Sequence, residues 1–368
     1  MNKCIIHIGM HKTGSTSIQH SLDSYSDDQF LYATLTNTPN HSLAMYSLFA
    51  ADPGHHRLHR TAQRSGQKLT AYLERAEADL QRAIKAAQGR TLIISGEGTI
   101  GLEPGEVAKL AERFRSEFDQ VTIVGYVRPP AGFLSSALQQ RIRGGAGKFD
   151  LARMYRNYRA SFAKFDDAFG AGNVVLWKFD PASFPGKDVV RDFCARIKLP
   201  LAERRIVRLN DSLSRQVVSA LYTHNKFAGE PGRNSARPAE LHRLGHALAE
   251  LGTDKFRLSP KIVQPILEAN KDDIRWMEQR LGASLAEPDA PHSDRDIVDE
   301  DDLLRPDPAA AAKLRQMLGR KAPPGVTGKT PQEIATLVHA LYQRARKRRL
   351  FLRWITGGRR SPLFGQDQ

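Results

Sequence analysis

Short apolar runs alternate with stretches of helical periodicity along this chain. Lys3 to Ile8 is a β-prone run closed by Gly9 and predicts a short buried strand. Ile18 and Leu22, four positions apart, predict a helix from Ser15 to about Tyr25, which leaves Gly9 to Gly14 as the turn between them. Leu69, Leu73, Ala76, Leu80 and Ile84 make one apolar stripe at helical spacing and predict a helix over 69–87. Thr91 to Ser95 and Val121 to Val127 read as buried strands separated by a helix near Pro104 to Phe118. A third strand, Asn173 to Trp177, follows an aromatic-rich helical stretch from Leu151 to Phe169. Tyr155, Tyr158, Phe162, Phe165 and Trp177 fit a core better than a sugar platform.

Strands separated by helices predict an α/β fold, a central mostly parallel sheet flanked by helices, with ligands beyond the carboxyl ends of the strands. The expected organisation is an α/β core over 1–200 and a helical extension over 201–368. Residues 29–66 are rich in His, Asn, Ser, Gly and Pro, with loops expected at Asn37 to His41 and Pro53 to His56; the segment is either an acceptor-binding insertion or a plain surface excursion. Beyond 200, helices are expected over Leu213 to Phe227, Pro238 to Leu251, Lys261 to Leu281 and 331–355. Glu287 to Asp302, with eight acidic residues against one arginine, reads as a linker.

Charge narrows the partners without choosing among them. A formal charge of +15 and a pI near 9.9 favour an anion, be it a nucleotide, an acidic glycan, an anionic lipid or a nucleic acid. Cys4 and Cys194 both sit in apolar runs and read as reduced core residues. No run has the form of a secretory signal or approaches the roughly 20 apolar residues of a membrane span. The chain is therefore expected in the cytoplasm. Arg344, Arg346, Lys347, Arg348, Arg349, Arg353, Arg359 and Arg360, interleaved with Leu350, Phe351, Trp354 and Ile355, would permit peripheral contact with an anionic inner membrane face. A solvated helix end or a clamp on the acidic linker explains them as well. No zinc-finger or tandem nucleic-acid motif accompanies this charge, so no specific nucleic acid is expected. An oligomer is compatible with the sequence.

The densest chemistry lies in Gly9-Met10-His11-Lys12-Thr13-Gly14-Ser15-Thr16. Gly9 and Gly14 allow a tight backbone path, the amides from Lys12 to Thr16 can converge, and the helix that follows points its positive end at an anion. Lys12 adds a mobile charge; Thr13, Ser15, Thr16 and Ser17 add hydroxyls. A nucleoside-triphosphatase loop carries its lysine after the second glycine, whereas Lys12 precedes Gly14, and the Gly-x-Gly-x-x-Gly dinucleotide pattern is absent.

In these residues the chain resembles the sulfotransferases that use 3'-phosphoadenosine 5'-phosphosulfate (PAPS), particularly bacterial carbohydrate-type members. Lys12-Thr13-Gly14-Ser15-Thr16 matches the family's loop for the 5'-phosphosulfate, with His11 where members often have proline. Arg128, ending a central strand, and Ser136, eight positions later, match its second signature. The resemblance covers mainly residues 3–25 and 91–198. It implies a P-loop-like sulfotransferase fold, PAPS as sulfate donor, no metal requirement, and Arg128 and Ser136 on the donor's 3'-phosphate. It also implies that Lys12 stabilises the departing phosphate.

An alcohol acceptor needs a proton acceptor. Glu97, just past a strand end, matches the placement of the family's base; His11 beside the loop is its rival. His7 is expected to face the core, and His41, His55, His56 and His59 are looser candidates without a persuasive metal-ligand spacing. Ser95 and Thr99 could place Glu97, while Arg141 and Arg143 could bind nucleotide or an anionic glycan or lie on the surface. The acceptor the resemblance favours is a carbohydrate or glycolipid. The competing readings are a nucleotide-dependent kinase or other phosphate-transfer enzyme, and a basic membrane- or nucleic-acid-binding protein.

Overall fold

The computed structural model describes residues 1–62, 64, 66–209, 212–228, 238–287 and 293–355, with side chains described as far as 346 except at 57, 61, 238, 239 and 242. In chain order the strands are β1 (Lys3–His7), β2 (Phe30–Tyr32), β3 (Thr91–Ser95), β4 (Gln120–Val127) and β5 (Val174–Lys178). The helices before β4 are α1 (Ser15–Leu22), α2 (Ser42–Phe49), α3 (Arg57–Thr61), α4 (Gln67–Ala86) and α5 (Pro104–Arg115). After it come α6 (Pro130–Arg143), α7 (Tyr158–Phe169), α8 (Val189–Ile197), α9 (Arg215–Phe227), α10 (Pro238–Ala247), α11 (Pro260–Ala269) and α12 (Lys271–Leu281). The chain continues through α13 (Glu300–Leu304), α14 (Pro308–Leu318) and α15 (Pro331–Ile355).

The chain forms two compact units and passes between them several times. The first contains Met1–Pro130, Arg156–Asn210 and Asn270–Ala286; the second contains Ala131–Tyr155, Asp211–Ala269 and the residues from Glu287 onward. All five strands belong to the first unit, in one sheet of order β2-β3-β1-β4-β5 in which every pairing is parallel. Parallel strands need covered faces, and the sequence supplies them with apolar residues on both sides of the pleat. Val124 and Tyr126 of β4 pack with Ile18 and Leu22 of α1 and Val190 and Phe193 of α8. Ile123 and Val127 point the other way by the two-residue strand period and are equally buried, with α5 and α7 against β4.

Residues 29–66 hold regular elements outside the loops expected at 37–41 and 53–56. Phe30–Tyr32 add an edge strand to β3, and Ser42–Phe49 form α2. Leu151 to Phe169 is not one helix, because the side chain of Asn157 accepts the Ala160 N–H and starts α7 only at Tyr158. Lys261 to Leu281 likewise divides at Asn270, so that α11 belongs to the second unit and α12 to the first. The α12 residue Arg280 clamps the α7 residue Asp166 through two bonds of 2.8 and 2.7 Å.

The second unit is helical among the described residues. Its core gathers Leu138 and Ile142 of α6, Val218 and Leu221 of α9, Leu314 of α14 and Leu337 and Val338 of α15. The described part of the acidic stretch is structural rather than a linker. Ile297 is buried, bridges Leu258, and precedes Asp299, whose carboxylate caps α13 at the Asp302 N–H. Both cysteines are buried and reduced. No helix among the described residues is long and apolar enough to cross a membrane. From residue 347 the basic side chains expected to touch a membrane lie outside the described residues.

Candidate functional site

Three neighbouring strands end at the site. β1 leads into the loop Gly9 to Gly14, β3 into a short 3-10 turn, Glu97–Gly101, and β4 into Arg128. The pairings β1 with β3 and β1 with β4 put these ends side by side, with His7 in register with Ser95 and Val124. This is the carboxyl end of a parallel sheet, at the central strand from which chain order departs in both directions, where ligands bind α/β proteins.

The loop is held by backbone on one side and a carboxylate-bearing turn on the other. Its Met10 amide donates to the Tyr126 carbonyl at 2.8 Å, and the Thr13 hydroxyl turns inward to the Met10 carbonyl at 2.6 Å. Gly9 (φ 86°) and Gly14 (φ 78°) occupy the left-handed region, and a Cβ on Gly14 would also come within 2.6 Å of Val189. Lys12 adopts φ 66° despite its side chain, and its carbonyl accepts from the Arg128 guanidinium. A non-glycine residue held in this region by a distant charged donor marks a loop whose shape is imposed. Arg128 also lies 5.4 Å from the Phe179 ring centre, and its own carbonyl accepts from the Tyr158 hydroxyl at 2.7 Å.

At the start of α1 no side chain caps the helix and its first turn holds no acidic residue, so neither offsets the positive end of the helix. Ser15, 5% exposed, has a hydroxyl with no hydrogen-bond partner. Thr16 is half-buried beside it. Ser17 faces elsewhere: its hydroxyl accepts the Leu209 N–H at 3.1 Å.

Glu97 stands against the loop. A Cβ built on Gly9 would meet the Glu97 Cβ at 2.7 Å. Its carboxylate accepts from Gln19 of α1 at 2.8 Å. The turn carrying it is braced from two directions. The Gly98 N–H donates to Ser42 Oγ at the start of α2, and Lys164 of α7 donates to the carbonyls of Ile100 and Leu102. Residues 40–42 thus support this turn: His41 Nδ1 accepts the Ser95 N–H, and the His41 N–H donates to the Ser95 carbonyl.

His11 is half-buried, and burial is the main influence that lowers its pKa; Arg156 and Lys12 push the same way while Glu97 opposes them. It is therefore chiefly neutral near pH 7. His7 is a core residue, with Nδ1 2.8 Å from Ser95 Oγ and its pKa lowered to about 4 by burial. Thr99 is buried with no partner for its hydroxyl.

Ser136 is half-buried on α6 and belongs to the second unit, as do exposed Arg141 and buried Arg143, whose guanidinium faces His246. His59 bonds Ser47, and no cluster of metal-ligating side chains occurs among the described residues. Two participants had no place in the sequence reading. Gln19 gave one signal, a long polar residue between Ile18 and Leu22, the two apolar residues that α1 buries. Arg156, whose charge acts on His11 and whose pKa burial lowers, follows no motif.

Fold and site together define a parallel α/β protein with a glycine-bounded strand-to-helix loop at the centre of its sheet. No family model and no curated protein sequence matches the chain. Among solved structures it is similar to a sulfotransferase from Alicyclobacillus acidocaldarius, at 17% identity and a TM-score of 0.34, over 60% of this chain and 91% of that one. It is similar also to the sulfotransferase domain from the curacin biosynthetic pathway, at 14% identity and a TM-score of 0.35, over 74% of this chain and 98% of that one.

Proposed function

We propose that the chain is a sulfotransferase that moves a sulfuryl group from PAPS to a hydroxyl, with a carbohydrate or glycolipid as the acceptor class. The observation that carries this reading is the start of α1. An uncapped helix end without acidic residues, an unpartnered Ser15 hydroxyl and the imposed left-handed turn at Lys12 together fit a phosphosulfate. The amides from Lys12 to Thr16, with Thr13, Gly14 and Ser15 setting the path, would hold the 5' end of the donor. Arg128 would hold its 3'-phosphate, the role that the resemblance implies for Arg128 and Ser136.

In the reaction the acceptor oxygen bonds to sulfur as the bond from sulfur to the bridging oxygen breaks. The hydroxyl proton passes to Glu97, and negative charge grows on the departing 5'-phosphate, where Lys12 offsets it. His11, largely neutral, is the second candidate for the proton. Lysine before Gly14 sets this loop apart from triphosphatase loops, which argues for the sulfate donor over a kinase reading.

The test is calorimetric titration of 3'-phosphoadenosine 5'-phosphate (PAP) into wild type, Lys12→Ala and Arg128→Ala, with ATP and magnesium as the comparison. Saturable PAP binding weakened about tenfold or more in each variant is expected. Wild type that binds ATP but not PAP would show the phosphate-transfer alternative to be the better one.

A further inference from the structure

Gln19 lies on α1 one turn beyond the loop and is fully buried. Its Nε2 is 2.8 Å from Glu97 Oε2 and 3.4 Å from the Ser95 carbonyl, so one amide group reaches both the carboxylate and the strand end that carries it. The opposite amide orientation would set the Gln19 carbonyl against an acceptor oxygen, so hydrogen bonding fixes the donor role. Gln19 Oε1 has no partner. A buried polar side chain left half unsatisfied is costly, and an apolar residue would fill the position between Ile18 and Leu22 without that cost.

We infer that Gln19 is a positioning residue for Glu97, holding the carboxylate at the mouth of the loop. The inference rests on the sulfotransferase reading and deepens it. One short helix then carries two tasks: its amino end faces the donor's anionic group, and its second turn anchors the base that receives the acceptor proton. The distance between base and leaving group is set by α1 rather than by the mobility of a glutamate side chain. Surrounding bonds fix the strand end, since Ser95 is tied to His7 through Oγ and to His41 through its amide. Gln19 supplies the contact that reaches beyond the strand to the carboxylate itself.

The experiment is a double-mutant cycle on Gln19→Met and Glu97→Gln, using PAPS with glycerol as a hydroxyl in excess and following PAP release. Methionine keeps the length and shape of the glutamine and removes its donor. The expected result for Gln19→Met is a kcat lower by about tenfold, with PAP affinity and the KM for PAPS unchanged, because a hydrogen bond to a charged group is lost away from the donor contacts. In the Glu97→Gln background the same substitution should have no further effect. A wild-type kcat in Gln19→Met, or equal losses in both backgrounds, overturns the positioning role. Weakened PAP binding assigns Gln19 to the loop's stability instead. Wild type that binds no PAP counts against the donor reading, a result distinct from either.

Discussion

Gly9 and Glu97 are packed so closely that a Cβ on the glycine would lie 2.7 Å from the Cβ of the glutamate. The loop and the carboxylate-bearing turn are therefore in close contact, with no room for a side chain between them. Gly9→Ala combines this overlap with a left-handed backbone at φ 86°. Its melting temperature should fall and its PAP affinity drop by about tenfold or more. Gly9→Ala/Glu97→Gly, which removes the overlap and keeps the backbone strain, should recover part of the melting temperature. No recovery at all would mean that the glycine is needed for its backbone alone.

Lys12 sits where glycine would rest more easily. Replacing it with glycine relieves a left-handed conformation while removing the side chain proposed to meet the leaving phosphate. Lys12→Gly should hold or raise the stability, by up to about 1 kcal/mol, and with it the melting temperature, and should abolish most turnover of PAPS. Lys12→Ala lacks the relief and should be the less stable of the two. Thermal melts of both variants beside PAP-release rates decide it; equal melting temperatures would show that Lys12 is unstrained.

Buried histidines make the first unit acid-sensitive. Burial holds His7 at about 4 and His41 at about 3, with the Glu97 carboxylate pulling His7 in the opposite direction. In the unfolded chain each titrates near 6.5, so at lower pH the unfolded state binds the extra protons. The stability of keeping them neutral is full above about 6.5 and is lost progressively as pH falls toward 4 and 3. Urea midpoints should fall between about pH 7 and about pH 5. In His7→Asn/His41→Asn the fall should be shallower, and an unchanged slope would exclude these two rings as its source.

Part of this arrangement was legible in the chain. Gly9, Lys12 and Gly14 declare a turn between a β-prone run and an amphipathic helix, and Arg128 follows a mostly apolar strand. Local pattern suffices for both. The structure has the α/β sheet that those runs predict, with β2 added at its edge. Phe30–Tyr32 escaped notice because three residues give too little periodicity within a polar stretch. Asn270 divides α11 from α12 although apolar spacing continues across it. The bond between Gln19 and Glu97 joins residues 78 positions apart, and only the pairing of β1 with β3 brings them together. Arg156 reaches His11's surroundings through tertiary structure alone.

The Arg128 guanidinium that grips the Lys12 carbonyl has a consequence for the order in which the protein becomes competent. Lys12 leaves the ribosome 116 residues before its clamp does. Until β4 is made and has paired with β1, the loop lacks the contact that sets its turn and the arginine proposed to hold the second phosphate. A nascent chain shorter than this should ignore the nucleotide, and affinity should switch on only once Arg128 has been translated and docked.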